Sequence, residues 1–263
     1  MLPIGQKFYT RTKHRIQQGK KTAGAWLQIG SPFTAEILGR AGFDWLMIDM
    51  EHGPGDIMTL IAQLQAMKGY GVDAFVRAPW NDFVTVKRIL DAGANGVLIP
   101  YVCTKQDAEA AVKAVLYPPR GIRGVAGSPR AEGYGVGNGD YFPYADQEIM
   151  LMVAIETQQG VDNLDQILQV EGIDGIFVGP MDLSTSMGHF GDPAHPQVRE
   201  AIAAIEEKTK AAGKFLGTVA GGYEKARALY DRGYQYIAVM ADGVALSNLA
   251  HGIVAQFRKE YGD

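Results

Sequence analysis

Two acidic residues that follow apolar segments are the best candidates for metal ligands in this sequence. Glu156 comes directly after the apolar run 149–155, and Asp182 lies just beyond the segment 174–178. A carboxylate beside a buried segment is costly unless hydrogen bonds or a cation compensate its charge. Oxygen ligands without thiolates suit Mg²⁺ or Mn²⁺, and Co²⁺ or Zn²⁺ could substitute for them. The alternative is that each carboxylate only caps the following helix.

His52 is the candidate general base. It stands next to Glu51 and three residues after Asp49, where another apolar segment ends. The Asp49 carboxylate could orient the imidazole and raise its basicity, which suits proton transfer near neutral pH. A lone histidine in a loop is more often structural, but the acidic neighbours favour catalysis here.

Arg77 and Asp91 are two further charged residues whose positions require partners. Arg77 ends an apolar segment, and its planar guanidinium suits a carboxylate or a developing enolate oxygen. An ion pair with Asp49 or Glu51 is the alternative. Asp91 ends a predicted helix, where the helix dipole disfavours a negative charge unless a fixed partner offsets it. We therefore keep Asp91 as a candidate supporting residue.

Eight short apolar segments alternate with amphipathic stretches along the whole chain. The predicted strands are 24–29, 44–49, 73–77, 96–99, 149–155, 174–178, 214–219 and 235–239. Most are apolar throughout, which is typical of parallel strands covered on both faces. With about eight helices between them, the pattern predicts one α/β domain over residues 1–263, a (β/α)8 TIM barrel. An open doubly wound sheet is the alternative. In a barrel the candidate residues would share the rim at the carboxyl ends of the strands.

Two segments depart from this alternation. A basic stretch predicts an N-terminal helix over about 5–20. The glycine-rich stretch 121–143 predicts a long loop that matches neither a dinucleotide nor a Walker fingerprint. A loop of this length is either a lid, a subunit contact or merely irregular.

Composition excludes several classes of protein. The 263 residues carry 25 basic and 29 acidic side chains, and a net charge of −4 argues against nucleic-acid binding. Cys103 is the single cysteine, so no intrachain disulfide can form, and we expect a reducing compartment, the cytoplasm. No apolar run approaches the roughly 20 residues that span a bilayer, so no membrane partner is expected.

Three separated segments in order, 43–52, 155–160 and 172–184, resemble the HpcH/HpaI aldolases, and 117–124 also fits. These are class II, metal-dependent pyruvate aldolases, and the similarity runs from about Gly24 to Phe257. Within the family, the sequence is most similar to the hydroxy-oxo-acid aldolases, including the 5-keto-4-deoxy-glucarate type. The resemblance implies reversible cleavage of a 4-hydroxy-2-oxo acid into pyruvate, or a close 2-oxo acid, and an aldehyde through a metal-bound enolate.

The resemblance also implies roles for the substrate-binding residues. Glu156 and Asp182 would hold a divalent metal, and the backbone amides of Met181 and Asp182 would bind the pyruvate carboxylate. Arg77 would contact the substrate and stabilise the enolate oxygen. Ala154 stands where the family often has glutamine, and Met50 where it usually has glycine. The resemblance therefore does not identify the aldehyde partner.

For proton transfer, the resemblance implies that His52 is the base, acting through water, with Asp49 and Asp91 sustaining its basicity. Family members are typically hexamers, trimers of dimers in which the last helix is exchanged between subunits. Three alternatives remain: a malyl-CoA or citryl-CoA type lyase, a 2-oxo acid decarboxylase or condensing enzyme of the superfamily, and a catalytically silent scaffold. A CoA lyase would need a basic site for the nucleotide phosphates.

Overall fold

The computed structural model describes residues 5–262 and contains a closed barrel of eight parallel strands, each paired with the next and the last with the first. The strands are β1 (Thr22–Leu27), β2 (Trp45–Asp49), β3 (Asp73–Arg77), β4 (Gly96–Ile99), β5 (Met150–Ile155), β6 (Gly175–Val178), β7 (Phe215–Val219) and β8 (Tyr236–Ala241). The predicted (β/α)8 barrel is confirmed, and the open sheet is excluded.

Helices surround the barrel. Those of the first half are α1 (Arg11–Gln17), α2 (Pro32–Arg40), α3 (Ile57–Ala66), α4 (Phe83–Asp91), α5 (Lys105–Val115) and α6 (Asn138–Glu148). Those of the second half are α7 (Gln158–Asp162), α8 (Leu164–Leu168), α9 (Pro180–Ser186), α10 (Pro196–Ala211), α11 (Tyr223–Asp231) and α12 (Asp242–Tyr261). In this part of the chain, no helix is both long enough and apolar enough to cross a membrane.

Helix starts follow the capping signals of the sequence. The Asp56 carboxylate accepts hydrogen bonds from the backbone N–H groups of Met58 and Thr59, both at 2.9 Å. The Asp82 carboxylate likewise accepts one from Thr85 at 2.7 Å. Because the first N–H groups of a helix lack intrahelical acceptors, these side chains fix where α3 and α4 begin.

The interior of the barrel is filled by aromatic side chains. Trp45 is fully buried and stacks on Tyr236 with 3.6 Å between the ring centroids, while Phe75 meets both rings edge-on. Gly24 pairs with Trp45 in the β1–β2 register, and a side chain there would overlap the indole. The packed interior leaves the carboxyl-end rim as the place where ligands can enter.

The predicted boundaries need three corrections. The N-terminal helix covers only Arg11–Gln17, not 5–20, because Thr10 is extended and Gly19 ends the turn with a φ of 75°. The glycine-rich stretch is not a loop as far as residue 143, since α6 begins at Asn138. At the sheet, β1 starts at Thr22 because that residue pairs with Tyr236 of β8.

Candidate active site

The carboxyl ends of the strands surround a cavity of about 680 Å³. Its polar lining comes from Gln28 after β1, Arg77 at the end of β3, Glu156 after β5, Asp182 in the first turn of α9 and Asn248 of α12. Four of the predicted site residues, Arg77, Glu156, Met181 and Asp182, therefore line one cavity. The parallel strands explain this convergence, because all of them end on the same rim.

Asp49 and Arg77 form the most extensive ion pair of the rim. Arg77 donates from Nε and Nη2 to the two carboxylate oxygens of Asp49 at 2.9 and 2.6 Å. The indole Nε1 of Trp26 donates to the same carboxylate at 3.1 Å. Burial raises the pKa of Asp49, but the hydrogen bonds and charge of Arg77 outweigh it and hold that pKa below its ordinary value.

Glu51 binds the third nitrogen of the same arginine. Its carboxylate lies 3.0 Å from Arg77 Nη1. Burial raises the pKa of Glu51, and the charge of Arg77 only partly offsets this. Arg77 thus forms the ion pairs with both Asp49 and Glu51 that were the alternative to a free substrate-binding guanidinium.

His52 lies beside this network, but its imidazole is not held by Asp49. The backbone N–H of His52 donates to Asp49 Oδ1 at 3.2 Å, while the His52 side chain is 63% exposed. Its Nε2 is 4.0 Å from the Glu51 carboxylate. The expectation that Asp49 orients the imidazole is wrong in this structure, because the Asp49 carboxylate is bound by Arg77, Trp26 and backbone amides.

Glu156 is the most perturbed acid of the rim. It is only 5% exposed, and burial raises its pKa to about 7, with repulsion from Asp182 and Glu51 adding to the effect. The backbone N–H of Tyr101 stabilises the charged form through a 2.8 Å hydrogen bond to Oε1. Tyr101, which donates this hydrogen bond, has a left-handed φ of 53°, a backbone conformation that is uncommon outside glycine.

The donor set fits a divalent cation. Glu156 and Asp182 line the same cavity and repel one another, and a cation between them would remove that repulsion. A Cβ at Gly179 would lie 2.5 Å from Glu156 Oε2, so glycine keeps the space beside this oxygen open. Among residues 5–262, no three His, Cys, Asp or Glu side chains form a ready-made metal cage. Two carboxylates alone would leave coordination positions for a substrate.

Asp91 is not part of this group. It ends α4, which returns from the rim to the amino ends of the strands. There its carboxylate accepts a 2.8 Å hydrogen bond from Nη2 of the fully buried Arg123. Asp91 does have the fixed partner that its position requires, but within one chain it cannot support His52.

Three further residues, Trp26, Gln28 and Asp242, contribute to the rim although the sequence did not predict a role for them. Trp26 binds Asp49, and Gln28 Nε2 donates to the same carboxylate at 3.3 Å. Asp242 accepts from the backbone N–H of Gln28 at 2.8 Å and so ties β1 to the start of α12. Trp26 and Gln28 stand at the end of an apolar segment, which is the signal that could have found them.

Comparison with known proteins agrees with this geometry. The sequence profile of the HpcH/HpaI aldolase/citrate lyase family matches residues 22–248. The chain is 44% identical to 5-keto-4-deoxy-D-glucarate aldolase of Escherichia coli over 252 residues, covering 96% of this chain and 98% of that protein.

Two solved structures extend the similarity to the fold. An HpcH/HpaI aldolase/citrate lyase family protein from Burkholderia cenocepacia superposes with a TM-score of 0.90 and 38% identity, covering 95% of this chain and 99% of that one. An HpcH/HpaI aldolase from Desulfitobacterium hafniense gives 0.87 and 30%, covering 94% and 96%. The predicted enzyme class, a carbon–carbon lyase, is confirmed. Because the matches span nearly the whole of each chain, this protein belongs to the HpcH/HpaI aldolase/citrate lyase family.

Proposed function

We propose that the protein is a metal-dependent aldolase that reversibly cleaves a 4-hydroxy-2-oxo acid into pyruvate, or a close 2-oxo acid, and an aldehyde. The observation that carries this proposal is the pair of carboxylates, Glu156 and Asp182, facing one cavity together with Arg77. Family membership supports the reaction class. A divalent cation held by the two carboxylates, Mg²⁺ or Mn²⁺ with Co²⁺ or Zn²⁺ as substitutes, would supply positive charge where the enolate develops.

Binding of the 2-oxo acid carboxylate falls to the first turn of α9. The backbone N–H groups of Met181 and Asp182 lie in this turn, where a helix has no intrahelical acceptors for them. They are suited to a substrate carboxylate. Arg77 lies on the same cavity wall, and Asp49 and Glu51 fix the plane of its guanidinium. The donor that faces the enolate oxygen is therefore held in place before substrate binds.

Proton transfer is assigned to His52. Its imidazole is exposed and does not line the cavity, so it would take the proton of the substrate hydroxyl through an intervening water. The bound guanidinium of Arg77 holds Asp49 ionised, and Asp49 fixes the His52 backbone. Asp49 is thus a positioning residue in this scheme.

An assay of carbon–carbon cleavage tests the proposal. Metal-stripped protein would be incubated with a racemic 4-hydroxy-2-oxo acid, and pyruvate release would be followed with and without added Mn²⁺. Pyruvate release that appears only with the metal supports the proposal. Equal release without metal, or no release with Mg²⁺, Mn²⁺ and Co²⁺ in turn, would contradict it.

The CoA-thioester alternative is not favoured, because Arg77 is the one cation among the described cavity-lining residues and is already paired.

We also propose that the protein is a homo-oligomer, a hexamer built as a trimer of dimers with α12 exchanged between subunits. The support is the apolar surface that α12 leaves exposed, formed by Val244, Leu246, Leu249, Ile253, Val254, Phe257 and Tyr261. An apolar stripe along one long helix marks an interaction site. Light scattering after size exclusion should show an oligomer that Leu249→Glu dissociates and the neighbouring control Gln256→Glu does not. A monomeric wild type would contradict the proposal.

The cytoplasmic location stays a prediction.

A further inference from the structure

The two carboxylate oxygens of Glu156 have different surroundings. Oε1 accepts the 2.8 Å hydrogen bond from the backbone N–H of Tyr101, which is the one hydrogen-bond donor to this carboxylate among residues 5–262. Oε2 lies beside Gly179, where a Cβ would approach it to 2.5 Å. Oε1 is thus held by the protein, whereas Oε2 has no hydrogen-bond donor in this part of the chain.

From this contact we infer that Tyr101 is a positioning residue for Glu156 as a metal ligand, and that it acts through its backbone N–H. The inference rests on the proposed metal-dependent function and adds a residue outside the described lining of the cavity. A glutamate side chain loses rotamer freedom when its carboxylate binds a cation. A carboxylate that the protein has already oriented loses less of this freedom, so the cation binds more tightly.

The backbone conformation of Tyr101 makes this contact sensitive to the type of residue. Its φ of 53° lies in the left-handed region, which is unfavourable for an L-residue because the Cβ approaches the following carbonyl oxygen. Among the described residues other than glycine, only Tyr134 shares a positive φ. Unfavourable dihedral angles of this kind persist where the surrounding structure holds the chain.

Contacts just after Tyr101 hold the chain in this conformation. The backbone N–H groups of Cys103 and Thr104 both donate to Asp107 Oδ2, at 3.1 and 2.9 Å. The Asn163 side chain donates to the carbonyl oxygen of Cys103 at 2.9 Å. Since residues 103 and 104 are fixed by α5 and by the junction of α7 and α8, a change of φ at residue 101 must turn the preceding peptide. That peptide carries the N–H that binds Glu156.

The phenol ring of Tyr101 is separable from this role. Tyr101 is 43% exposed, and its ring packs on Trp80, itself 57% exposed, with 5.9 Å between the ring centroids. Neither residue is among the described residues that line the cavity. A substitution that removes the ring but tolerates a left-handed φ should therefore keep the N–H on Glu156, whereas a β-branched residue should not.

A matched pair of variants tests the inference. Tyr101→Asn and Tyr101→Val both remove the ring, but asparagine tolerates the left-handed region and valine does not. We expect Kd for Mn²⁺, measured by electron paramagnetic resonance on metal-stripped protein, to rise at least about tenfold in Tyr101→Val and to stay within about twofold in Tyr101→Asn. Wild-type affinity in folded Tyr101→Val would overturn the inference, and so would an equal loss in both variants, which would give the role to the phenol. Tyr101→Thr replaces Tyr101→Val if that variant does not fold.

Deuterium exchange into pyruvate supplies a second readout. In Tyr101→Val the Mn²⁺ concentration that gives half-maximal exchange should rise about tenfold, while the rate at saturating Mn²⁺ should fall by less than about threefold, because residue 101 contacts Glu156 and does not line the cavity. A residue that only stabilised the fold would lower the melting temperature without shifting this concentration. Metal-dependent exchange in the wild type with an unshifted concentration in Tyr101→Val sinks only this inference. No Mn²⁺ binding by the wild type sinks the aldolase proposal as well.

Discussion

Each end of the barrel carries an arginine paired with an aspartate and, near them, a buried glutamate. The rim cluster is Arg77, Asp49 and Glu156, and the amino-end cluster is Arg123, Asp91 and Glu132. In both clusters the arginine donates to the aspartate, at 2.6 and 2.8 Å. An arginine–aspartate pair near a buried glutamate therefore does not by itself distinguish the two sites, although the rim also holds Glu51 and Asp182.

The surroundings of the two glutamates separate the clusters. Burial raises the pKa of both Glu156 and Glu132 to about 7. Glu156 borders the cavity beside Asp182, whereas both carboxylate oxygens of Glu132 are enclosed without a hydrogen-bond partner. A perturbed acid thus indicates function only where a ligand can reach it. The amino-end cluster instead joins the 121–137 segment to α4, with Arg123 donating to Asp91.

The largest effect is expected from removing the rim glutamate. Glu156→Gln should lower metal-dependent deuterium exchange into pyruvate by about 10³-fold, because the cation would lose one of its two carboxylates. The matched control Glu132→Gln should retain the wild-type exchange rate. Mn²⁺ binding, followed by electron paramagnetic resonance, should weaken in the first variant only. Equal loss of exchange in both would mean that the two glutamates do not differ in function.

Changing each arginine should separate catalysis from stability. Arg77→Lys should lower the exchange rate by about 10²-fold, because lysine cannot reproduce the bidentate contact with Asp49 or keep the same donor at the enolate oxygen. Arg123→Lys should keep the rate per folded molecule. Circular dichroism would confirm that both variants fold. Normal exchange in Arg77→Lys would remove Arg77 from the mechanism.

The next effect concerns the amino end alone. Arg123→Met should lower the free energy of unfolding by about 3–5 kcal/mol, because Asp91 would lose its partner and Tyr141 a hydrogen-bond donor inside the protein. Urea denaturation of the metal-free protein measures this. A change below about 1 kcal/mol would show that the pair contributes little to stability.

The smallest effect is a pH dependence. Glu132 has a folded-state pKa of about 7, above its ordinary value of 4.5, so the folded protein binds this proton more tightly than the unfolded chain. Stability of the metal-free protein should therefore fall as pH rises from about 4.5 through 7. Melting temperatures in EDTA should decline less over this range for Glu132→Gln than for the wild type. If the melting temperatures of both proteins fell equally with rising pH, Glu132 would be excluded as a source of the decline.

The sequence was sufficient for the architecture because eight apolar segments separated by amphipathic ones have few other arrangements. Boundaries were less certain, since they depend on partners elsewhere in the chain: Thr22 joins β1 only because Tyr236 lies beside it. Similarly, α6 begins inside a glycine-rich stretch whose composition favours a loop.

For the site, strand order was enough to bring Glu156, Asp182 and Arg77 to one cavity, but it left the ion pair of Arg77 with Asp49 or Glu51 as only one of two possibilities. Asp49 was expected to bind the His52 imidazole, three residues away. Instead, the β2–β3 register sets Asp49 beside Arg77, and the arginine takes the carboxylate. The partner of Asp91, Arg123, lies in a segment without a regular pattern, so spacing could not predict it.

Deuterium exchange into the methyl group of pyruvate, without any aldehyde, tests whether the protein forms a metal-dependent enolate. It reports enolate formation at the rim cluster whatever the second substrate is. We expect no exchange by metal-stripped protein, exchange on adding Mg²⁺, Mn²⁺ or Co²⁺, and loss of that exchange in Glu156→Gln but not in Glu132→Gln. Exchange that needs no metal, or that survives in Glu156→Gln, would contradict this expectation.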